Sequence, residues 1–513
     1  MGLPPGEVEK TETDLHLPIR TEMKITLRLV MAVFGAVMGS FLFGYNTGVI
    51  NAPEARIKEF LNETNIKRDG TPMSVDTQTN LFAVIVASFA IGGTAGGLLA
   101  GTWADKFGRK NGSLLNTICG ITSAALMFFC RMGVSYEMLI VGRLLGGVCC
   151  GLITGLTPMY LSEIASQNIR GALGVLHQLG VVSGILVSQI LGFPEVMGTS
   201  DLWNYLLGLA VVPCILQLLI LPFCPESPRH LLISKQDEEN ARKALIVLRG
   251  YINADEDILE MKAEDEAQKS EAKVNIWGIL TSRNLRMALI LSVVMHLSQQ
   301  FSGINAIFYY SSSFFSDAGL DSDTAVHATS GVGAVMVVMT IVTIPLMDKV
   351  GRRTLHLAGL GGMFVFSILI TLTLTLQHLV PWFKIVTIVA SLVYVLFFAL
   401  GPGSIPWLIV AELFSQGPRS AAISVSVLVN WVANFGVAYA FPYMKAGLGD
   451  YSFIPFTGFL LVFFIFIYIY LPETKNQTFE EISSTLRRGG NFREDKNARR
   501  ENYLVSYKTH ENP

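Results

Sequence analysis

Twelve stretches of this chain, each about 20 to 30 residues long, carry almost no charge: 29–53, 81–103, 111–130, 144–162, 171–194, 202–225, 287–316, 325–347, 355–383, 385–411, 420–444 and 451–472. No other feature constrains the fold as much. An apolar run of about 20 residues crosses the hydrocarbon of a bilayer as a helix, which satisfies every backbone N–H and C=O within the segment. Twelve helices of this length without a charged face need lipid around them, and only 15% of the 513 residues are charged where a soluble chain has about 25%. The expected fold class is an all-α membrane protein with twelve transmembrane helices. The fourth is expected to begin earlier than its uncharged run, near Met138, and so to take in Arg143.

If the loops alternate sides, one side collects both termini and 30 of the 38 Lys and Arg residues. The positive-inside rule puts that side in the cytosol. Residues 1–24 are polar, contain Pro4 and Pro5 and do not read as a signal peptide. The six cysteines sit in or at the ends of spans, so no disulfide framework is expected. Of the sequons at Asn62, Asn111 and Asn476, only Asn62 falls in an outer loop, which makes it the expected glycosylation site.

The chain repeats itself. Asp105-Lys-Phe-Gly108-Arg109-Lys110 returns as Asp348-Lys-Val-Gly351-Arg352-Arg353. Glu163 and Arg170 return as Glu412 and Arg419, and Pro225-Glu-Ser-Pro-Arg229 as Pro472-Glu-Thr-Lys475. Three motif types in one order, at a nearly constant offset, mark two related halves of six helices. The expected organisation is a cytosolic tail (1–24), a first half (25–225), a cytosolic linker with short helices (226–286), a second half (287–472) and a second cytosolic tail (473–513). Two such halves are the plan of a secondary transporter with its site at mid-membrane between them.

Polar side chains inside spans are costly and mark pathways. In the seventh span His296, Gln299, Gln300 and Gly303 share one helical face, followed by Asn305 and Tyr309. In the eleventh, Ser426, Asn430 and Asn434 share a face, and Gln178 lies mid-span in the fifth. A lone amide often only bonds a neighbouring helix; amides at mid-depth in three spans from both halves point to a ligand. Amides donate and accept without charge, which suits a ring of hydroxyls and no ion. Trp407, after the helix-breaking Gly401–Pro406 run, and Trp431, beside Asn430, could supply the aromatic plane on which a sugar's C–H face packs.

Gly101-x-x-x-Asp105-x-x-Gly108-Arg109-Lys110 resembles the signature loop of the major facilitator superfamily, and Pro225–Arg229 and Pro472–Lys475 resemble the sugar-porter signatures. Gln299-Gln300-Phe-Ser-Gly303-Ile-Asn305-Ala, Gly401-Pro-Gly-Ser-Ile-Pro-Trp407, Ala411-Glu-Leu-Phe-Ser-Gln-Gly-Pro-Arg419 and Phe43-Gly-Tyr-Asn46-Thr-Gly-Val-Ile-Asn-Ala-Pro53 resemble the facilitative glucose transporters of animals, class I-like hexose carriers, over about residues 25–485. The resemblance implies the major facilitator fold and a hexose, foremost D-glucose, as substrate. It also implies Gln178, Gln299, Gln300, Asn305, Asn430 and Trp407 as sugar contacts, with Phe398 and Asn434 at less decisive positions; Asn46, His296, Tyr309 and Trp431 are further possible lining from their places in the spans. Ala399, Met336 and His296 depart from the usual glucose pattern, whereas Trp407 and the Leu297-Ser298 pair favour glucose over fructose.

Arg143 is the only formal charge well within a span. Proton-coupled members of the resembled family carry an Asp where this chain has Asn46, which cannot titrate. Passive uniport across the plasma membrane by alternating access is therefore expected; a proton-coupled symporter or a fructose carrier is the runner-up. The charges at the cytosolic helix ends (Asp105, Arg109, Lys110, Glu163, Arg170, Asp348, Arg352, Arg353, Glu412 and Arg419) are expected, with Arg143, to gate transport, through pairs between the halves that hold the cytosolic side shut and break in the inward-open state. No paired carboxylates, no His pair at ligand spacing and no motif for a cofactor or metal occur, so no enzyme is expected. The expected partners are a small neutral sugar and the lipid bilayer, with no nucleic acid; the tails carry no legible partner signal.

Overall fold

The computed structural model describes residues 25–166, 169–250, 254–270, 274–380, 382–475, 477 and 479–487. Its first half contains α1 (Leu27–Gly48), the polar helix α2 (Glu54–Asp69) between spans, α3 (Val75–Phe107), α4 (Arg109–Phe129), α5 (Tyr136–Ile164) and α6 (Arg170–Leu191). A sixth span is built from α7 (Trp203–Gly208) and α8 (Val211–Ile220). The linker holds α9 (Glu238–Arg249), α10 (Asp255–Ser270) and α11 (Ile276–Thr281). The second half contains α12 (Arg286–Gln300), α13 (Ile304–Asp317), α14 (Ser322–Val350), α15 (Arg352–Leu376), α16 (Phe383–Leu400), α17 (Ile405–Leu413), α18 (Gln416–Leu448) and α19 (Ile454–Tyr470), and α20 (Phe479–Arg487) follows. Among the described residues eleven spans are long and apolar enough to cross a membrane, and the shorter Ile454–Tyr470 makes a twelfth apolar helix. The fourth span does take in Arg143, starting at Tyr136.

Side-chain caps set the starts of several spans. Thr26, Ser74, Ser135 and Asp321 each accept from a backbone N–H three residues on, at 3.1, 3.2, 3.3 and 3.0 Å. Within the membrane the helices cannot gain from hydrophobic transfer, so close backbone packing holds them together. α3 and α5 show this: a methyl at Gly92 or Gly96 would lie 1.9 or 2.1 Å from the carbonyl oxygens of Leu144 and Val148.

The halves meet along two seams, α3 against α18 and α6 against α14. At the end of the bundle away from the linker, side chains bond across the seam. Asn51 Nδ2 donates to the Phe308 carbonyl (2.9 Å) and to Ser311 Oγ (2.7 Å), and its Oδ1 accepts from Ser312 N–H (3.0 Å). Gln189 Oε1 accepts from Gly333 N–H at 3.2 Å, and His327 Nε2 lies 3.2 Å from Glu195.

At the linker end the two halves carry the same construction. Glu226 places its carboxylate on the start of α4, accepting from the N–H groups of Arg109 (2.9 Å), Lys110 (2.9 Å) and Asn111 (3.1 Å). Glu473 does likewise on α15, accepting from Arg352 N–H at 2.8 Å. Carboxylates at helix N-termini satisfy otherwise unpaired donors and complement the helix dipole. Gly108 and Gly351, at φ of 90° and 104°, turn the chain into these helices, and a Cβ on either would lie 2.4 or 2.5 Å from the capping carboxylate.

The linker docks on the first half. Thr26 Oγ1 donates to the Leu248 carbonyl (2.9 Å), and Leu248 is buried against Leu29, Tyr160 and Ile164.

Candidate functional site

Two helix breaks make the site. The seventh span stops at Gln300 and restarts at Ile304, with Gly303 at φ 86° between; the tenth stops at Leu400 and restarts at Ile405. A break in a membrane helix frees carbonyls that only protein can satisfy. Gln299 Nε2 reaches the freed carbonyls of Pro402 and Gly403, both at 2.8 Å. Tyr394 OH donates to the freed Ser302 carbonyl.

From Gln299 the polar network spreads. Its Oε1 accepts from Asn430 Nδ2 at 2.6 Å, and Asn430 Oδ1 accepts from Gln300 Nε2 at 3.0 Å. Asn305 Nδ2 donates to Gln300 Oε1. Asn430 Nδ2 also meets His296 Nδ1 at 3.0 Å. A donating amide makes that ring nitrogen the acceptor and leaves the proton of the neutral ring on Nε2. The imidazole stands edge-on to Trp407, centroids 4.8 Å apart. Nearby, Tyr309 OH donates to Asn434 Oδ1 at 3.2 Å. Phe398 lies edge-to-face with Phe308 at 6.2 Å.

Four of the six residues expected to contact sugar thus share one network, and Trp407 joins it through His296. Gln178 does not: it sits half-buried on α6, in the other half, next to His177, whose Nδ1 lies 2.8 Å from Ser40 Oγ. The two tryptophans separate. Trp407 is 37% exposed, whereas Trp431 is 2% exposed, wedged between Phe43 (5.8 Å) and Phe89 (5.9 Å) on the α3–α18 seam. Trp431 therefore packs the seam and offers no open aromatic plane.

Asn46 lies on α1, and its backbone carbonyl accepts from Arg143 Nη1 at 2.6 Å; the guanidinium sits 4.5 Å over the Phe89 ring. Asn46 Oδ1 and Arg143 Nε and Nη2 have no hydrogen-bond partner among the described residues. No described acid approaches the amide network, and no group of His, Cys, Asp or Glu suited to a metal occurs among the described residues.

The charges at the linker-end helix tips make the following bonds in this state. Arg109 Nη2 meets Glu163 at 2.9 Å, with Asp105 at 3.6 Å, and Ser227 Oγ donates to the same Glu163. In the second half Arg352 Nε meets Glu412 at 3.2 Å, and Thr474 Oγ1 donates to Glu412 at 2.5 Å. Each of these pairs lies within one half, because each acid ends a span that packs beside the capped loop of the same half. Arg353 Nη2 donates to the Tyr468 carbonyl (2.7 Å) and Arg419 Nη2 to the Phe414 carbonyl (3.0 Å). The side chains of Arg170 and Asp348 lie outside the described residues, as do Asn476 and both chain ends (1–24 and 488–513). His230, in the linker, receives Arg109 Nη1 on its Nδ1 at 3.0 Å; burial, then the Arg109 charge, hold its imidazole below the ordinary range.

Sequence reasoning left several working groups unassigned: the carbonyls of Pro402 and Gly403, the caps Glu226 and Glu473, and the seam amides Asn51 and Gln189. The repeated Pro-Glu-Ser/Thr signature could have pointed to the caps, and amides at the ends of apolar runs to the seam.

A family model described as "Sugar (and other) transporter" matches residues 32–486. The chain is 49% identical over 461 residues to the facilitated glucose transporter member 3 of solute carrier family 2 from Canis lupus familiaris, spanning 90% of this chain and 92% of that protein. It is 47% identical over 473 residues to member 1 from Gallus gallus, spanning 92% and 96%. Among solved structures it matches the xylose transporter XylE from E. coli in a partially occluded inward-open conformation, with a TM-score of 0.72 and 26% identity over 88% of this chain and 99% of that one. It also matches the proton:xylose symporter XylE bound to 6-bromo-6-deoxy-D-glucose, with a TM-score of 0.71 and 26% identity over 89% and 99%.

Proposed function

Because the chain belongs to the sugar transporter family, we propose that it is a passive hexose uniporter, with D-glucose as its foremost substrate, working by alternating access in the plasma membrane. The all-α major facilitator fold and the resemblance read from the motifs both hold. The observation that carries the reading is the uncharged network of Gln299, Gln300, Asn305 and Asn430, braced on the broken tenth span. Such a network offers donors and acceptors to hydroxyls and no counter-charge to an ion. Relatives at 47–49% identity are named facilitated glucose transporters, in keeping with glucose and with the absence of coupling. That kinship also argues for a carrier and against an enzyme.

In this reading the linker end and both tails face the cytosol, and Asn62 on the outer helix carries glycan. Asn62 Oδ1 accepts from Met73 N–H at 2.8 Å, an arrangement that leaves its Nδ2 for the sugar chain. The two halves, 25–225 and 287–472, are the rocking bodies, and the linker 226–286 joins them. Asn51 and Gln189 close the outer end, so the state described faces inward. The charges around Glu163 and Glu412 gate: pairs between the halves hold the cytosolic side shut and break in the state facing inward, where Arg109 and Arg352 bond within their own half.

Tracer uptake into sealed proteoliposomes containing a pH dye tests this. Saturable glucose entry without proton movement is the expected result; a stoichiometric proton flux, or binding without flux, refutes it. A panel of competing hexoses ranks glucose against fructose.

A further inference from the structure

The linker's last helix, α11, turns an apolar face outwards. Asn275 caps it, Oδ1 accepting from Gly278 N–H at 2.7 Å. Ile279 is 0% exposed, packed towards α18 and α12. On the other side Trp277 is 74% exposed, with Ile276 and Leu280 exposed beside it. Only residues 282–285 separate α11 from α12, which enters the membrane. Four residues reach at most about 14 Å, so α11 cannot leave the level of the bilayer surface. An exposed Trp held there has its ordinary place among the headgroups.

Charge adds a second observation. Arg283 and Arg286, in and just after the connection, are exposed and enter no described ion pair. The two helices packed against α11 supply no acid: neither Arg286–Gln300 nor Gln416–Leu448 contains Asp or Glu. Two uncompensated guanidiniums beside an apolar patch match a surface of lipid phosphates and acyl chains.

We propose that α11 is an interfacial hook: Ile276, Trp277 and Leu280 enter the headgroup–acyl boundary of the linker-side leaflet, and Arg283 and Arg286 select anionic phospholipid there. The hook ties the linker to the membrane at the point where the second half begins.

The test uses the full chain in phosphatidylcholine vesicles, with the Trp277 signal taken as the difference between the unaltered protein and Trp277→Phe. Retained tracer uptake by the variant shows that it folds. Brominated phosphatidylcholine is expected to roughly halve the Trp277 emission, while aqueous acrylamide reaches it poorly. Brominated phosphatidylserine at the same mole fraction is expected to quench more strongly, and the Arg283→Gln/Arg286→Gln variant to lose that difference while keeping the phosphatidylcholine effect. Quenching by acrylamide and not by bromolipid overturns the proposal. Protection from both also overturns it, since a tail or another protein would then cover the helix. Equal quenching by the two lipids in the unaltered protein overturns the selection of anionic lipid.

Discussion

Gln299 occupies both hydrogens of its amide on the Pro402 and Gly403 carbonyls, 2.8 Å from each. One side chain thereby stitches the break in the tenth span to the end of the first helix of the seventh. Its oxygen remains for Asn430 and, at 3.4 Å, Gln300. Gln299 braces the site, while Gln300 and Asn305 are better placed to exchange partners with a ligand.

The two roles separate by mutation. Gln299→Leu strands two buried carbonyls, each costing about 1–3 kcal/mol, so thermal unfolding in detergent is expected to shift down together with transport. Gln300→Ala and Asn305→Ala are expected to lower glucose uptake by about tenfold, one lost hydrogen bond's worth, with normal surface expression and little change in unfolding temperature.

Coupling to protons requires an acid, and Asn46 is the place to install one. Its Oδ1 and two N–H-bearing nitrogens of Arg143 lack described partners, so Asn46→Asp sets a carboxylate near an unmatched guanidinium. Uptake by the variant is expected to become pH-dependent across the range in which the unaltered protein's rate stays flat. Parallel pH–rate profiles in proteoliposomes decide the point.

Asn51→Ala removes four hydrogen bonds that hold together the end away from the linker. Losing about 1.4 kcal/mol would shift the inward–outward balance tenfold. Labelling of outer-end cysteines introduced on α1 and α13 is expected to speed up accordingly, and Gln189→Ala to act in the same direction.

His230 supplies a pH effect outside the membrane. An unfolded imidazole takes its proton near pH 6.5; the folded one, buried beside Arg109, takes it only at lower pH. Between those values the unfolded chain binds more protons, so stability falls as pH drops below about 6.5. The unfolding temperature is expected to decline less between pH 7 and 5 in His230→Asn than in the unaltered chain.

Span number was legible because apolar length is a local property. The breaks at Gly303 and Gly401–Gly403 were legible too, since Gly and Pro interrupt helices wherever the chain runs. Which side chain would meet the freed Pro402 and Gly403 carbonyls was not, because that depends on how the seventh and tenth spans pack. Charge followed the same rule. Arg109 and Glu163 could be placed at helix ends from sequence, but their pairing with each other is fixed by the packing of α4 beside α5. The packing of Trp431 was illegible for a related reason. One residue along a helix from Asn430 turns the side chain through about 100°, and only the packed seam sets it between Phe43 and Phe89.

Trp431 also fills the volume that a side chain at position 93 would need: a Cβ built on Gly93 falls 2.3 Å from the indole ring. The halves meet there as a flat aromatic plate sliding on bare peptide, a bearing with nothing to unlatch. Such a joint can swivel through each turnover at little energetic cost, and the smallest graft onto it, a single alanine, would act as a wedge and jam the cycle.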